Sequence, residues 1–384
     1  MKKREKVVFL LSTTKTKNNL FSMEQDRTCP IGANYELIRS LGIVKHKKRQ
    51  EFLDKMISGI IKSRSVLFPE ISDKMDVSIK VESVERRIQD FFQKVEIDFE
   101  KLLLYFLCFV HHDKLQLSID RTEWDFGKTQ VNILCVIVSI GKMGVPLYFE
   151  MLDNNSGNSN ADQRIELFKT IIESIGIHRI DLVIMDREFI GNKWLKWLKT
   201  KEIKFCVRVP KHHKILLSNG QYIRAEQYWK EHGYGLFENV VIDGVIVNCS
   251  ISTDANGELL FLIGTIDAKN LKKIYKKRWT IEVFFQALKG RGFHIETSRL
   301  RCLKKYKKLF AIVSMAYTLC WAVGIENGKQ NPVKTKNHGY PQFSVFRRGL
   351  NMIRKFYKQQ IEKPILNIFY IARLRLNMLN KTIG

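Results

Sequence analysis

Proline is scarce in this chain, acidic residues are outnumbered, and no two cysteines stand at metal-ligand spacing. Each shortage excludes something. Seven prolines and 22 glycines in 384 residues are too few for a fibrous or disordered chain. The seven cysteines, Cys29, Cys108, Cys135, Cys206, Cys249, Cys302 and Cys320, are odd in number and include no Cys-x-x-Cys pair. That excludes a disulfide framework and a cysteine zinc site, and points to buried thiols in a reducing cytosol. Histidine offers no metal site either, because His111–His112 and His212–His213 lack a third ligand at suitable spacing. Met1 to Leu11 has a basic start but no sustained apolar region or cleavage site, so no signal peptide is expected. Leu309 to Ile325 is uncharged over 17 residues but contains Ser314, Thr318 and Gly324. It reads as a buried core helix rather than a membrane span.

What is abundant is positive charge. Lys and Arg number 65 against 39 Asp and Glu, a net charge of +26. A polyanion would relieve that self-repulsion, and nucleic acid is the usual one; membrane surfaces and ribosomes are the others. Hydrophobic residues make up 45%, enough to bury a sizeable core, and the length suits two or three domains.

Along the chain, residues 1 to about 30 are polar and read as a mobile arm. Residues 1–111 read as a helical N-terminal domain. Ile43, Phe52, Leu53, Met56 and Ile60, and then Val84, Ile88, Phe91 and Phe92, fall near helical spacing on either side of Pro69. This domain is either a scaffold or a reader of a DNA end; no helix-turn-helix is evident. At Lys114 the pattern turns strand-like, with Leu115, Leu117 and Ile119 alternating with Gln116, Ser118 and Asp120. Strands at Val131–Ile140 and Val145–Met151, with a turn at Lys142–Gly144, precede a helix at Asp162–Ile175. A strand at Leu182–Met185, a helix at Trp194–Leu198 and a strand at Phe205–Val209 follow. Three strands, helix, strand, helix, strand is the order of an α/β domain. Asp243-Gly244 and Asn256-Gly257 mark hairpins in a small antiparallel β insertion at about 210–267. The central domain spans 112–325. Residues 326–384 form a basic helical segment whose Arg347, Arg348, Arg354 and Lys355 suit contact with DNA or with a second subunit.

The segment Ile274–Gly290 reads IYKKRWTIEVFFQALKG. Tyr275, Arg278, Glu282 and Lys289 are offset so that they return to roughly a 60° arc of one helix, while Ile274, Ile281, Phe284, Phe285 and Leu288 fill the adjacent face. By itself the row is also consistent with a solvated face carrying an ordinary Arg278–Glu282 pair. Asp120 and Asp186, each expected at a strand end, change the reading. Two such carboxylates beside a helix-borne Glu are the donor set of two-metal phosphoryl chemistry. Each Asp alone could equally cap a turn or pair with its neighbour, Arg121 or Arg187.

These segments together resemble the DDE transposases of bacterial insertion sequences, in particular the insertion sequence 4 family with its Y-R-E-K signature. Tyr275-x2-Arg278-x3-Glu282-x6-Lys289 matches that signature in full. Ser118-Ile119-Asp120-Arg121-Thr122 is similar to the first Asp motif, and Met185-Asp186-Arg187-Glu188-Phe189 to the second. The separations, 66 residues from Asp120 to Asp186 and 96 more to Glu282, also fit. The resemblance implies an RNase H-like (retroviral-integrase-like) catalytic domain with a β insertion. It implies two magnesium or manganese ions held by Asp120, Asp186 and Glu282. It also implies that Tyr275, Arg278 and Lys289 hold phosphates of the transposon end, with Thr122 and Arg187 supporting the carboxylates. The partners would be double-stranded DNA, as terminal inverted repeats and target, and a second copy of the chain; the setting would be the cytoplasm, at the nucleoid, with no membrane. One departure stands out: no Trp lies between Glu231 and Arg278 to stack on a flipped base, and Phe261 is the candidate substitute.

Charge supports the same region. Ile266–Lys308 holds 14 Lys or Arg against 3 Asp or Glu. Arg299, Arg301, Lys304, Lys305, Lys307 and Lys308 are candidates to follow a DNA backbone, or else form a solvated basic face. Two other functions remain open on the sequence: a catalytically inactive DNA-binding repressor, and a metal-dependent nuclease without strand transfer. The three carboxylates favour catalysis, and the full Tyr275-to-Lys289 row favours transposition.

Overall fold

Alternation from Leu115 onward builds the first strand of the sheet, β1 (Leu115–Phe126), and the structure, a computed structural model, shows how the rest assembles around it. It describes residues 30–126, 129–152, 157–332 and 334–359 apart from 338 and 340, together with 372, 375 and 376. The expected N-terminal arm and most of the last 25 residues lie outside the described residues.

Among the described residues, five helices precede the sheet: α1 (Pro30–Leu41), α2 (Lys47–Ser63), α3 (Phe68–Lys74), α4 (Val81–Lys94) and α5 (Phe99–Leu107). Their apolar stripes pack on one another through Ile38, Leu53, Ile60, Val84, Ile88 and Leu103, all buried. Pro69 does lie between the two expected blocks, α2 and α4, but within a further helix, in the first turn of α3, where its missing N–H costs no hydrogen bond.

After β1 come β2 (Thr129–Ile140) and β3 (Met143–Met151), an antiparallel meander. The reversal lies at Gly141–Lys142, just before the expected turn, where Gly141 takes φ 59°. Next are α6 (Ala161–Ile175), β4 (Ile180–Met185), α7 (Asn192–Thr200) and β5 (Lys204–Val209). Asn160 and Gln163 form a reciprocal capping box at the start of α6. The strands β1, β4 and β5 are parallel neighbours.

The insertion holds β6 (Lys214–Leu216), β7 (Tyr222–Arg224), α8 (Ala225–His232), β8 (Gly235–Ile242), β9 (Val245–Thr253) and β10 (Leu259–Gly264). Only β6 and β7 form a separate small sheet. β10, β9 and β8 continue the main one, in the order β3-β2-β1-β4-β5-β10-β9-β8. The expected small β insertion is thus largely an extension of the main sheet. The physical reason is the edge of β5, whose unpaired amides and carbonyls β10 satisfies. Asp243 and Gly244, at φ 53° and 71°, make the hairpin between β8 and β9.

The chain then enters α9 (Ala268–Tyr275), a 3-10 turn at Lys276–Arg278, α10 (Trp279–Leu288), the long α11 (Leu303–Gln330) and α12 (Val345–Gln359). α11 is long and apolar enough to cross a membrane, but 89% of its apolar window is buried inside the protein. It is the central core helix. Tyr317 stacks on Phe346 and meets Phe284 edge-on, which joins α11 to α12 and α10. The helix runs five residues past the expected boundary at 325. Five of the described cysteines are buried and none is paired.

Candidate active site

The parallel register of β1 and β4 ends at the pair Ile119–Met185. The next residue on each strand is an aspartate, so Asp120 and Asp186 emerge together where the pairing stops. Asp186 follows the last residue of β4, as expected. Asp120 does not end its strand: β1 runs on to Phe126 against β2, with Asp120 opposite Cys135. What ends there is the parallel pairing, a fact set by β4 and absent from the local pattern of β1.

Backbone N–H groups fix both carboxylates. The Arg121 amide donates to Asp120 Oδ1 at 2.7 Å, and the Arg187 amide to Asp186 Oδ1 at 2.8 Å. Tyr275 Oη also donates to Asp186 Oδ1, at 2.8 Å. Behind Asp186, Trp194 Nε1 donates to Met185 Sδ at 3.0 Å and anchors the end of β4 to α7.

Glu282 arrives on α10, which hydroxyls seat on the sheet. Ser118 Oγ lies 2.8 Å from Ser139 Oγ, and that atom 2.9 Å from Thr280 Oγ1, linking β1, β2 and α10. Gly144 allows the close approach, since a Cβ there would fall 2.0 Å from Ile137 Cδ1 and 3.4 Å from the Thr280 carbonyl. Because Ser118 and Asp120 share a face of β1, the contact that seats α10 also aims Glu282 toward Asp120.

All three carboxylates meet one guanidinium. Arg278 lies 3.1 Å from Asp120 Oδ2 and 3.6 Å from Asp186 Oδ2, and it also pairs with Glu282 Oε1. Burial alone would lower the basicity of Arg278, but the surrounding Asp186, Tyr275, Glu282 and Asp120 hold it well above the ordinary value. Asp120 is the opposite case. Burial pushes its pKa up to about 6, against the pull of the Arg121 amide and Arg278, and the nearby Asp186 and Glu188 push the same way as burial. One guanidinium therefore leaves the cluster short of positive charge.

Hard carboxylate oxygens short of a counter-charge are a donor set that suits magnesium or manganese. As they stand, no three His, Cys, Asp or Glu side chains among the described residues are arranged to hold a metal ion. Arg278 takes the central place, so the chemistry of the donors fits a divalent cation while the geometry requires Arg278 to withdraw.

The remaining expected residues divide. The Tyr275–Lys289 row is not one helix: the 3-10 turn interrupts it, and Lys289 lies just past the end of α10 with ψ −146°. Its Nζ donates to the Glu123 carbonyl at 3.0 Å and sits over the Trp124 ring, apart from the carboxylates. Thr122 is buried two residues beyond Asp120 on the same face of β1. The Arg187 side chain is exposed, and its support for Asp186 comes from the backbone. Arg299, Arg301 and Lys304 are exposed and Lys305 half-buried before or at the start of α11. Lys307 and Lys308 turn inward instead, to Glu150 and to the Phe92 carbonyl, because α11 presents that side to β3 and α4. Phe261 is fully buried in β10 and offers no ring to a base. His213 pairs with Asp243 at 2.8 Å within the insertion.

Two groups escaped sequence reasoning. Glu188 places a fourth carboxylate beside the site: burial raises its pKa, Arg121 and Arg164 oppose that, and its Oε1 is buried without a partner. Its position two residues after Asp186 was the available signal. Trp279, 56% exposed, stands next to Arg278 as an open aromatic surface.

Residues 112–319, more than half of the chain, match the family described as transposase DDE domain. No curated protein matches the chain.

Proposed function

The chain belongs to the transposase DDE domain family, and from that premise we propose that it cuts DNA at the ends of a transposable element and joins the freed ends to target DNA. We place it in the insertion sequence 4 group on the full Tyr275-Arg278-Glu282-Lys289 spacing. One observation carries the reading: Asp120, Asp186 and Glu282, from three elements far apart in sequence, converge on a single cation.

In this reading Asp120, Asp186 and Glu282 are the ligands of two magnesium or manganese ions. Bound there, the two ions would activate the attacking oxygen and stabilise the leaving one. The chain's own groups set the geometry. The amides of Arg121 and Arg187 occupy one oxygen of each aspartate, leaving the other directed at the cleft. Tyr275 orients Asp186. Arg278, once displaced, suits a bidentate hold on a phosphate, and Lys289 supplies a second point charge. Arg299, Arg301, Lys304 and Lys305 continue the contact along the backbone, and Trp279 offers a face on which a base can stack.

The chemistry consists of two in-line displacements at phosphorus. Water attacks the phosphodiester at the element's end, forming one P–O bond as the bond to the 3′ oxygen breaks. The freed 3′-OH then attacks a target phosphodiester and releases the target's 3′ oxygen. We assign a homodimer to the DNA complex, since two ends are joined together. The domain division follows the same reading, with 112–325 as the catalytic unit, 1–111 recognising the DNA end, and 326–384 contacting DNA or the second subunit.

Strand joining tests it. Purified protein, magnesium, a target plasmid and a pre-cut duplex carrying the element's terminal repeat should give joined product from a 3′-OH end and none from a 3′-deoxy end. Nicking without joining would leave only a nuclease. Binding without either would leave only a repressor.

A further inference from the structure

Helix α12 carries Arg347, Arg348, Arg354, Lys355 and Lys358 and no acid. Arg347, Arg354 and Lys358 are offset by 7 and 11 residues, which brings them within roughly 40° of one line along the helix. The neighbouring face, Phe346, Leu350, Ile353 and Phe356, is buried. The helix is held firmly. A Cβ on Gly349 would fall 1.7 Å from the Cys320 carbonyl, so α12 lies directly against α11. Tyr357 Oη donates to Ser58 Oγ at 2.8 Å, which docks the far end of α12 on α2.

That docking brings Arg64 to the basic stripe. Arg64 closes α2 in the left-handed conformation, at φ 62°. Its Nε is buried without a partner. Burial, then Arg347 and Arg354, lower its basicity, and no acid is among the charges acting on it. At the near end, Arg347 Nη2 donates to the Arg291 carbonyl at 2.6 Å. Arg291 is exposed and follows Lys289 by two residues. Gly292 makes this junction possible, since a Cβ there would meet the Ala287 carbonyl at 1.8 Å and Phe346 at 3.0 Å. A line of cations therefore leads from the edge of the cleft to the α2–α12 junction.

We propose that the line Lys289, Arg291, Arg347, Arg354, Lys358 and Arg64 is a track for the phosphate backbone of a DNA duplex, carrying it from the cleft across α12 onto the helices before the sheet. The choice of DNA as the polyanion rests on the transposase reading. A second copy of the chain is disfavoured as occupant, because each copy carries +26.

The test is the salt dependence of binding by the full chain to a duplex of unrelated sequence, with chelator present so that nothing is cut. Each lost phosphate contact lowers the log–log slope by about 0.9, so Arg347→Gln with Arg354→Gln should lower it by about 1.8. Lys358→Gln, an exposed change on the same stripe that leaves the packing intact, should lower it by about 0.9 and decides the matter if the double variant melts early. Unchanged slopes and affinities would overturn the track while leaving the catalytic reading intact. Lost self-association with an unchanged slope would also overturn it, by assigning the face to contact between copies. A wild-type chain that ignores DNA would overturn the transposase reading and the track together.

Discussion

The carboxylate cleft and the α12 face each gather charge of one sign and treat it in opposite ways. In the cleft, Asp120, Asp186 and Glu282 are answered from within, by Arg278 and by Tyr275. On α12, Arg347 and Arg354 face Arg64, another cation, and the basic residues of the helix have no acid on their own element. The cleft is partly balanced before any ligand arrives, and a cation enters by displacing Arg278. The α12 face is unbalanced, and a ligand enters by neutralising it. A third site separates the effect of burial from that of pairing. Asp54, on α2, accepts a hydrogen bond from Asn34 and has Lys55 nearby but no paired guanidinium among the described residues, and burial pushes its pKa up to about 8, against about 6 for the Arg278-paired Asp120.

The largest effect expected is on catalysis. Asp120→Asn, Asp186→Asn or Glu282→Gln should each slow single-turnover cleavage by about a thousandfold or more, on the scale of losing a group that stabilises a transition state. Binding to duplex should survive, because these changes leave every cation proposed to meet DNA in place. A variant that still cuts at a tenth of the wild-type rate would break the proposed division of labour.

Next is the internal counter-ion. Arg278→Ala leaves three carboxylates without it. Breaking a buried pair costs about 3–5 kcal/mol, less here because Asp186 and Glu282 reach solvent, so we expect about 2 kcal/mol in chelator. Adding manganese should restore more stability to this variant than to the wild type, as read by thermal melting. Equal gains would mean that Arg278 does not compete for the metal's place.

Gly292→Ala links the two regions. Its Cβ would overlap the Ala287 carbonyl and press on Phe346, at an overpacking cost of about 1–3 kcal/mol. Both cleavage and the salt slope of binding should suffer, whereas loss of only one would mean that α10 and α12 are independent.

The smallest effect concerns Asp54. Its folded pKa lies above the unfolded value, so it contributes stability that is full below about pH 4 and is lost as the pH rises toward about 8. Asp54→Asn keeps an acceptor for Asn34 and removes the ionisation. It should flatten that slope and stabilise the protein by about 1 kcal/mol at pH 8, as measured by denaturation at several pH values. A slope that persists in the variant would place the titration elsewhere.

How much of this was legible in the sequence follows from how local each feature is. The order of strands and helices around Asp120 and Asp186 was readable, because period-two alternation and short apolar runs are local signals. The hairpin at Asp243-Gly244 was readable for the same reason. The spacing from Tyr275 to Lys289 picked out the residues but not their shape: three of them do reach one place, while the 3-10 turn and the end of α10 send Lys289 to Glu123 instead. Features made by distant partners were hidden. The hydroxyl chain from Ser118 through Ser139 to Thr280 joins residues more than a hundred positions apart. The addition of β10 to the edge of β5, and the inward turn of Lys307 and Lys308, likewise depend on what lies opposite. Glu188 sat in plain view beside Asp186, but a carboxylate gains meaning only when its burial is known.

Manganese titration of the duplex-bound protein, followed by electron paramagnetic resonance, tests the central claim most directly. If Asp120, Asp186 and Glu282 form one cation site, the wild type should bind manganese tightly, and each of Asp120→Asn, Asp186→Asn and Glu282→Gln should weaken binding by more than the roughly ten- to hundredfold cost of losing a group that only orients a ligand. Wild-type affinity in any one of the three would contradict it.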